Sequence, residues 1–135
     1  MPATKDSLPI APFVRIPAPT LEADSWRQKL GRTQTLERTV VANLLAHLEA
    51  NGWKPVMVFD SEENVPATTA QAAMNAIFAV DDSRLYVSNG TERYWVYLVC
   101  SNGVDIITDN SYSADGSDNF EMVMDAFDPL EFERQ

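Results

Sequence analysis

The sequence predicts an α+β domain built on one mainly antiparallel, four-stranded sheet, with elements in the order α-β-α-β-β-β-α. Three observations carry this. Residues 35–50 place apolar side chains at helical spacing. Two Asn-Gly pairs, Asn89-Gly90 and Asn102-Gly103, punctuate runs of β-forming residues. The segments flanking those runs return to a 3.6-residue period.

The first 19 residues hold five of the eight prolines, Pro2, Pro9, Pro12, Pro17 and Pro19. Proline lacks the amide donor and fixes φ, so residues 1–20 read as an extended arm with polyproline character. Leu8, Ile10, Phe13, Val14 and Ile16 are too many apolar residues for a purely solvated tail. Residues 8–16 are therefore expected to lie against the domain or a partner. Residues 21–135 form the single domain. A short helix over 21–30, anchored by Trp26, should end at Gly31.

From Thr35 to Ala50, Leu36, Val40, Val41, Leu44, Leu45 and Leu48 make one broad apolar arc, closed by Asn51-Gly52. Trp53 to Phe59 reads as a strand, and Asp60 to Pro66 as a polar loop. Thr68 with Gln71 has the spacing of a capping box for a helix whose buried stripe is Ala70, Ala73, Met74, Ile77 and Phe78. Asn-Gly suits a two-residue type I′ turn, so residues 83–88, 92–101 and 104–108 should form a three-strand meander. Asp115-Gly116 marks another turn. The last helix is expected over 118–127, with Asp118 and Glu121 as its capping box and Pro129 as its stop.

Along residues 94–100, Tyr94, Val96, Leu98 and Cys100 share one face, and Trp95, Tyr97 and Val99 the other. Both faces are apolar, unlike those of a half-solvated antiparallel strand. Helices cover one. The second needs another helix, the arm or a second subunit, so the chain is expected as a monomer or a homodimer, with cover from within the chain preferred.

The chain has 135 residues, of which 45% are hydrophobic, enough for one core. It carries 10 Lys+Arg against 20 Asp+Glu, a formal net charge of -10. That balance argues against direct binding to nucleic acid or to an anionic membrane. One cysteine and one histidine exclude a disulfide framework and the Cys-rich or multi-His metal motifs. No apolar run has the length of a membrane span, and no basic-then-apolar leader is visible, so a cytoplasmic protein is expected. No glycine-rich phosphate loop, HExxH or CxxC is present, and no cofactor is expected.

Catalytic constellations are scarce. His47 lies at the edge of an apolar arc near a helix end, where a structural role is the default. Cys100 has no neighbouring Lys, Arg or helix N-terminus to activate it, and reads as a structural cysteine. A calcium loop aligned on Gly116 puts Ser111 at its first position and Met122 at its twelfth, so the bidentate glutamate is missing. The acids of the Asp60, Glu62, Glu63 loop and of Asp81-Asp82 read as solvated turns.

Charge is unevenly placed. Residues 1–54 hold seven bases and five acids, whereas residues 55–135 hold three bases and fifteen acids. On a helix over 118–127 continued to 128, Asp118, Glu121, Asp125 and Asp128 fall within about 80° of arc at roughly 100° per residue. Successive acids would be about 4.5–6 Å apart along the axis, near the spacing of nucleic-acid phosphates. With Asp109 and Asp115 they form the candidate partner-binding set. The corresponding expectation is a non-catalytic protein-binding module that meets a basic protein through residues 105–133. A specific form, by analogy of size and charge alone, is an inhibitor or nucleic-acid mimic of the kind phages and mobile elements encode. The competing expectation is a carboxylate-dependent enzyme or ligand-binding domain with an aromatic pocket formed by Trp53, Trp95 and Tyr97.

Overall fold

A computed structural model describes residues 25–113, 115 and 118–133, with side chains from Gln34 onward. The proline-rich arm and the side chain of Trp26 lie outside the described residues. The fold is α+β, as the sequence predicts. Helix α1 (Ser25–Ala50) is followed by β1 (Lys54–Phe59), β2 (Asn64–Pro66), α2 (Ala70–Ile77), β3 (Asp82–Ser88), β4 (Arg93–Val99), β5 (Ile107–Asn110) and α3 (Phe120–Asp125). Short 3-10 helices span Gly103–Ile106 and Pro129–Phe132. The strands form one antiparallel sheet in the order β2-β1-β3-β4-β5.

The alternation along β3 fixes which side of the sheet is covered. Ser83, Leu85 and Val87 are buried, while Arg84 is exposed and Tyr86 is partly exposed. Leu85 is in register with Val58 of β1 and Val96 of β4, all three fully buried. Against this face α1 brings Val40, Val41, Leu44, Leu45 and Leu48, and α2 brings Ala73, Met74 and Ile77. Phe120, Val123 and Met124 of α3 complete the core with Phe127 and Phe132. Two apolar periodicities, 3.6 on the helices and 2 on the strands, thus meet on one side of the sheet.

Five expectations need correction, each for a physical reason. The short helix and the long helix are one, and α1 runs through Gly31. An interior glycine costs about 1 kcal/mol in a helix, less than the penalty of nucleating a second one. The sheet has five strands rather than four, because Asn64–Pro66 of the expected loop turns back and pairs with β1. Asp60 makes that reversal, its carboxylate accepting from Glu62 N at 3.0 Å and Glu63 N at 2.8 Å. Helix α2 is capped by Thr69, one residue later than expected, through Ala72 N at 3.1 Å. Gln71 donates instead to Asn75 at 2.9 Å.

The two Asn-Gly pairs behave differently from the expected I′ turns. At the first, Gly90 has φ +97 and Asn89 has no positive φ. Asn89 N donates to Glu92 O at 3.3 Å, so the central residues are Gly90-Thr91, with glycine in the first central place as a II′ turn requires. The second is no two-residue hairpin. Ser101 (φ 72) and Gly103 (φ 60) take left-handed conformations and feed the 3-10 helix that buries Ile106. The cause lies in α1. Glu37, 2% exposed, accepts from Asn102 N at 2.8 Å and from Gly103 N at 3.1 Å.

The last helix is also shorter than 118–127. Asp118 and Asn119, its expected first residues, are drawn to partners elsewhere. Asn119 accepts from Trp53 Nε1 at 2.9 Å, and Asp118 accepts from Tyr94 Oη at 2.5 Å. The Asp118–Glu121 capping box does not form; Asp118 accepts from Phe120 N at 2.9 Å instead. Pro129 opens a 3-10 helix that Asp128 caps, accepting from Leu130 N at 3.0 Å.

Glu37→Ala should destabilise the fold by about 1–3 kcal/mol, because two amides lose a charged acceptor. Glu37→Gln, which keeps a carbonyl oxygen there, should cost less. Urea midpoints of the two variants check this order.

Candidate functional site

The six acids expected from sequence are spread over five settings rather than one helical face. Asp109 sits on β5, in register with Tyr97, and is exposed. Asp115 is exposed and accepts from Ser113 Oγ at 2.6 Å. Asp118 is partly buried, held between the Tyr94 hydroxyl and the Phe120 amide. Glu121 and Asp125 are the two acids on α3, partly buried in the first turn and exposed at the last residue. Asp128 is exposed and caps the following 3-10 helix. The phosphate-like ladder of four carboxylates on one helix is therefore overturned. The shorter helix leaves only two of them on it.

The Tyr94–Asp118 contact perturbs the phenol strongly. The hydrogen bond to the carboxylate, helped by desolvation, pushes the Tyr94 pKa up to about 12. Tyr97 is raised for the same reason by Asp82, whose Oδ2 accepts from it at 3.0 Å. Asp60 is held below the usual carboxylate range by the Glu63 and Glu62 amides it accepts from. These carboxylates serve turns and tyrosines, and they do not converge on a shared cavity.

His47 is packed between α1 and α3, and Cys100 lies half-buried at the end of β4. The His47 ring is 5% exposed, 5.7 Å from Phe127 by centroids, and its Nε2 lies 2.8 Å from the Val123 carbonyl. A carbonyl only accepts, so Nε2 carries a proton there and serves as a tie between α1 and α3. Desolvation, with Glu37 and Asp81 nearby, pushes the Cys100 thiol up to about 11, so it stays protonated at neutral pH. A cavity of about 240 Å³ lies beside it, lined by residues that include Gln34, Glu37, Phe78 and Asp81. Glu37 itself was not singled out from sequence. A lone acid inside an apolar helical arc, Leu36 to Val41, is the signal that could have found it.

The aromatic pocket proposed around Trp53, Trp95 and Tyr97 does not exist. Trp53 is fully buried on the helix side, against Tyr94 and Phe120 at 5.4 and 4.9 Å. Trp95 and Tyr97 point to the opposite side of β4, where strand alternation puts them. Among the described residues no group of His, Cys, Asp and Glu side chains could hold a metal ion, and no helix is long and apolar enough to cross a membrane. No family model, curated protein or solved structure matches the chain.

Two measurements check this reading. Tyr94 keeps its proton in the fold above the pH at which the unfolded phenol loses it, so stability should fall as pH rises from about 10 to about 12. Tyr94→Phe should flatten that fall, seen as urea midpoints compared at the two ends of the window. Cys100 should react with a disulfide reagent at pH 8 about 100-fold more slowly than an unperturbed thiol, from its smaller thiolate fraction. A rate equal to that of a free thiol peptide would contradict the geometry around it.

Proposed function

We propose that this chain is a small non-catalytic binding module that recognises a basic protein through its acidic C-terminal half. The segregation of charge carries the reading. From Tyr94 to Glu133 there are nine carboxylates and no Lys or Arg. Asp105, Asp109, Asp115, Asp125, Asp128, Glu131 and Glu133 are exposed. Such a one-signed surface raises the encounter rate with a cationic partner and repels nucleic acid and anionic lipid. The field depends on the summed charge, so it does not need the helical ladder that a strict nucleic-acid mimic would use. The protonated Cys100 thiol, the His47 ring bound to a backbone carbonyl and the separation of Trp53 from Trp95 favour binding over carboxylate-dependent catalysis. The module acts in the cytoplasm, where a lone thiol stays reduced.

The test is affinity capture from the native host followed by a salt titration. Binding should weaken steeply as the screening length falls from about 10 Å at 0.1 M to about 3 Å at 1 M ionic strength. Reversal of Asp125 and Glu133 to Lys should abolish it with the thermal midpoint nearly unchanged, since these side chains are exposed. A partner retained in high salt, or one that survives the reversal, overturns the acidic-face reading.

A further inference from the structure

All three helices pack on one side of the sheet, which leaves the other side without cover among the described residues. Four cross-strand rows make up that open face, and the registers fix their order along the strands. Lys54, Ser88 and Arg93 form the first row, and Met57, Tyr86 and Trp95 the second. Phe59, Arg84, Tyr97 and Asp109 form the third, and Asp82 with Val99 the fourth. The middle rows hold four aromatic rings, each partly exposed. The Arg84 guanidinium lies over Trp95 at 5.1 Å and near Tyr97 at 5.9 Å. The outer rows are of opposite sign, with the exposed bases Lys54 and Arg93 at one end and Asp82 at the other. Lys54, Arg84 and Arg93 are also all the bases of residues 54–133. The strands carry only two acids, Asp82 and Asp109.

We propose that this face pairs with the same face of a second copy, as a two-fold symmetric dimer. Its pattern is its own complement. Consider a two-fold axis that lies between the faces, runs across the strands and passes midway between the two aromatic rows. It reverses the order of the rows and keeps each strand over its own copy. The second row then meets the third: Met57 faces Phe59 of the other copy, Tyr86 faces Arg84, and Trp95 faces Tyr97. Arg84, already against Trp95 and Tyr97 of its own chain, gains a third ring on its open side. The first row meets the fourth, so Asp82 of each copy lies over Ser88, between Lys54 and Arg93 of the other. Stacked sheets cross at about 30°, which moves that carboxylate by about one strand spacing, toward one of the two bases.

A partner of one charge would satisfy only one end of such a face, whereas a second copy satisfies both. The net charge of -10 on each chain acts against association. Exposed charges more than about 8 Å apart are largely screened at about 0.15 M ionic strength, however. On the strands themselves three bases stand against two acids, so the two faces meet with little net charge. Area sets the strength. Five strands span about 19 Å and seven residues about 23 Å, giving roughly 400 Å² per copy in projection. That belongs to the class of small, reversible interfaces, so the dimer dissociates on dilution. Asp125 and Glu133 lie off the sheet, and the pairing is independent of the acidic-face reading.

The experiment follows the mass of the full chain by sedimentation equilibrium from about 10 μM to about 1 mM, at about 0.15 M salt. The mass should rise from that of one chain toward that of two. Over the same range the amide signals of Tyr86, Trp95 and Tyr97 should shift in NMR, with those of Val41 and Leu44 of α1 unmoved. Lys54→Glu combined with Arg93→Glu should weaken the pairing at least about tenfold, and so should Asp82→Lys, because like charges then meet at both ends. An equimolar mixture of the two variants should pair again, since each outer row then meets its opposite sign. A mass that stays at one chain up to about 1 mM overturns the proposal, as do shifts confined to the helices. Charge variants that pair as well as the parent overturn it, and so does a mixture of folded variants that stays monomeric. Asp82→Lys also loses the Tyr97 hydroxyl it accepts from, so its thermal midpoint is read alongside. Where it fails to fold, Trp95→Glu takes its place, and a Trp95→Glu chain that pairs as well as the parent overturns the proposal.

Discussion

Trp53 joins the two ends of this fold. It sits just before β1, fully buried, and its ring meets Tyr94 of β4 and Phe120 of α3. Tyr94 and Phe120 in turn stack at 4.9 Å. Aromatic pairs of this kind each contribute about 0.5–1.5 kcal/mol beyond their buried area. Two of the rings also have polar edges that need partners in a dry setting. Trp53 Nε1 finds Asn119, and Tyr94 Oη finds Asp118. Consecutive residues of the C-terminal segment are thereby held by two different parts of the sheet layer. His47 adds a third tie through the Val123 carbonyl.

That anchoring divides the acids of the C-terminal half into two kinds. Asp118 is turned inward to serve a tyrosine, and Asp128 caps a 3-10 helix. Asp109, Asp125, Glu131 and Glu133 stay on the surface. The field of the segment survives, because it is set by the excess of carboxylates over bases. Its ordering into a ladder does not, because helix α3 begins only after the two residues that Trp53 and Tyr94 have taken. Long-range steering and shape mimicry are therefore separate properties here, and the chain retains the physical basis of the first.

The same packing explains why the sheet is one-sided. Helix α1 is long enough to cover β1 and to meet α2, α3 and both 3-10 helices, so every described helix is drawn to a single apolar layer. The face with Trp95, Tyr97 and Tyr86 is left to whatever lies outside that layer. Its apolar character was legible from the alternation in residues 94–100, where neither side of the strand is polar. Which side the helices would choose was not.

Local chemistry was sufficient for the helical arc of Leu36 to Leu48, the strands around Val58, Leu85 and Val96, and the place of the first hairpin near Gly90, though not its turn type. Spacing of 3.6 or 2 residues and a glycine at positive φ act within a few positions of the chain, so the sequence alone determined these elements and the α+β class. It also determined the charge asymmetry. Tertiary structure decided the rest. The second Asn-Gly pair follows Glu37, about 65 residues away, and the start of α3 follows Trp53, about 66 residues away. A buried carboxylate and a buried indole must be paired, and that demand outweighs the weaker preference of a turn or a cap. The partners for such groups are set by proximity in space, and linear spacing does not record it.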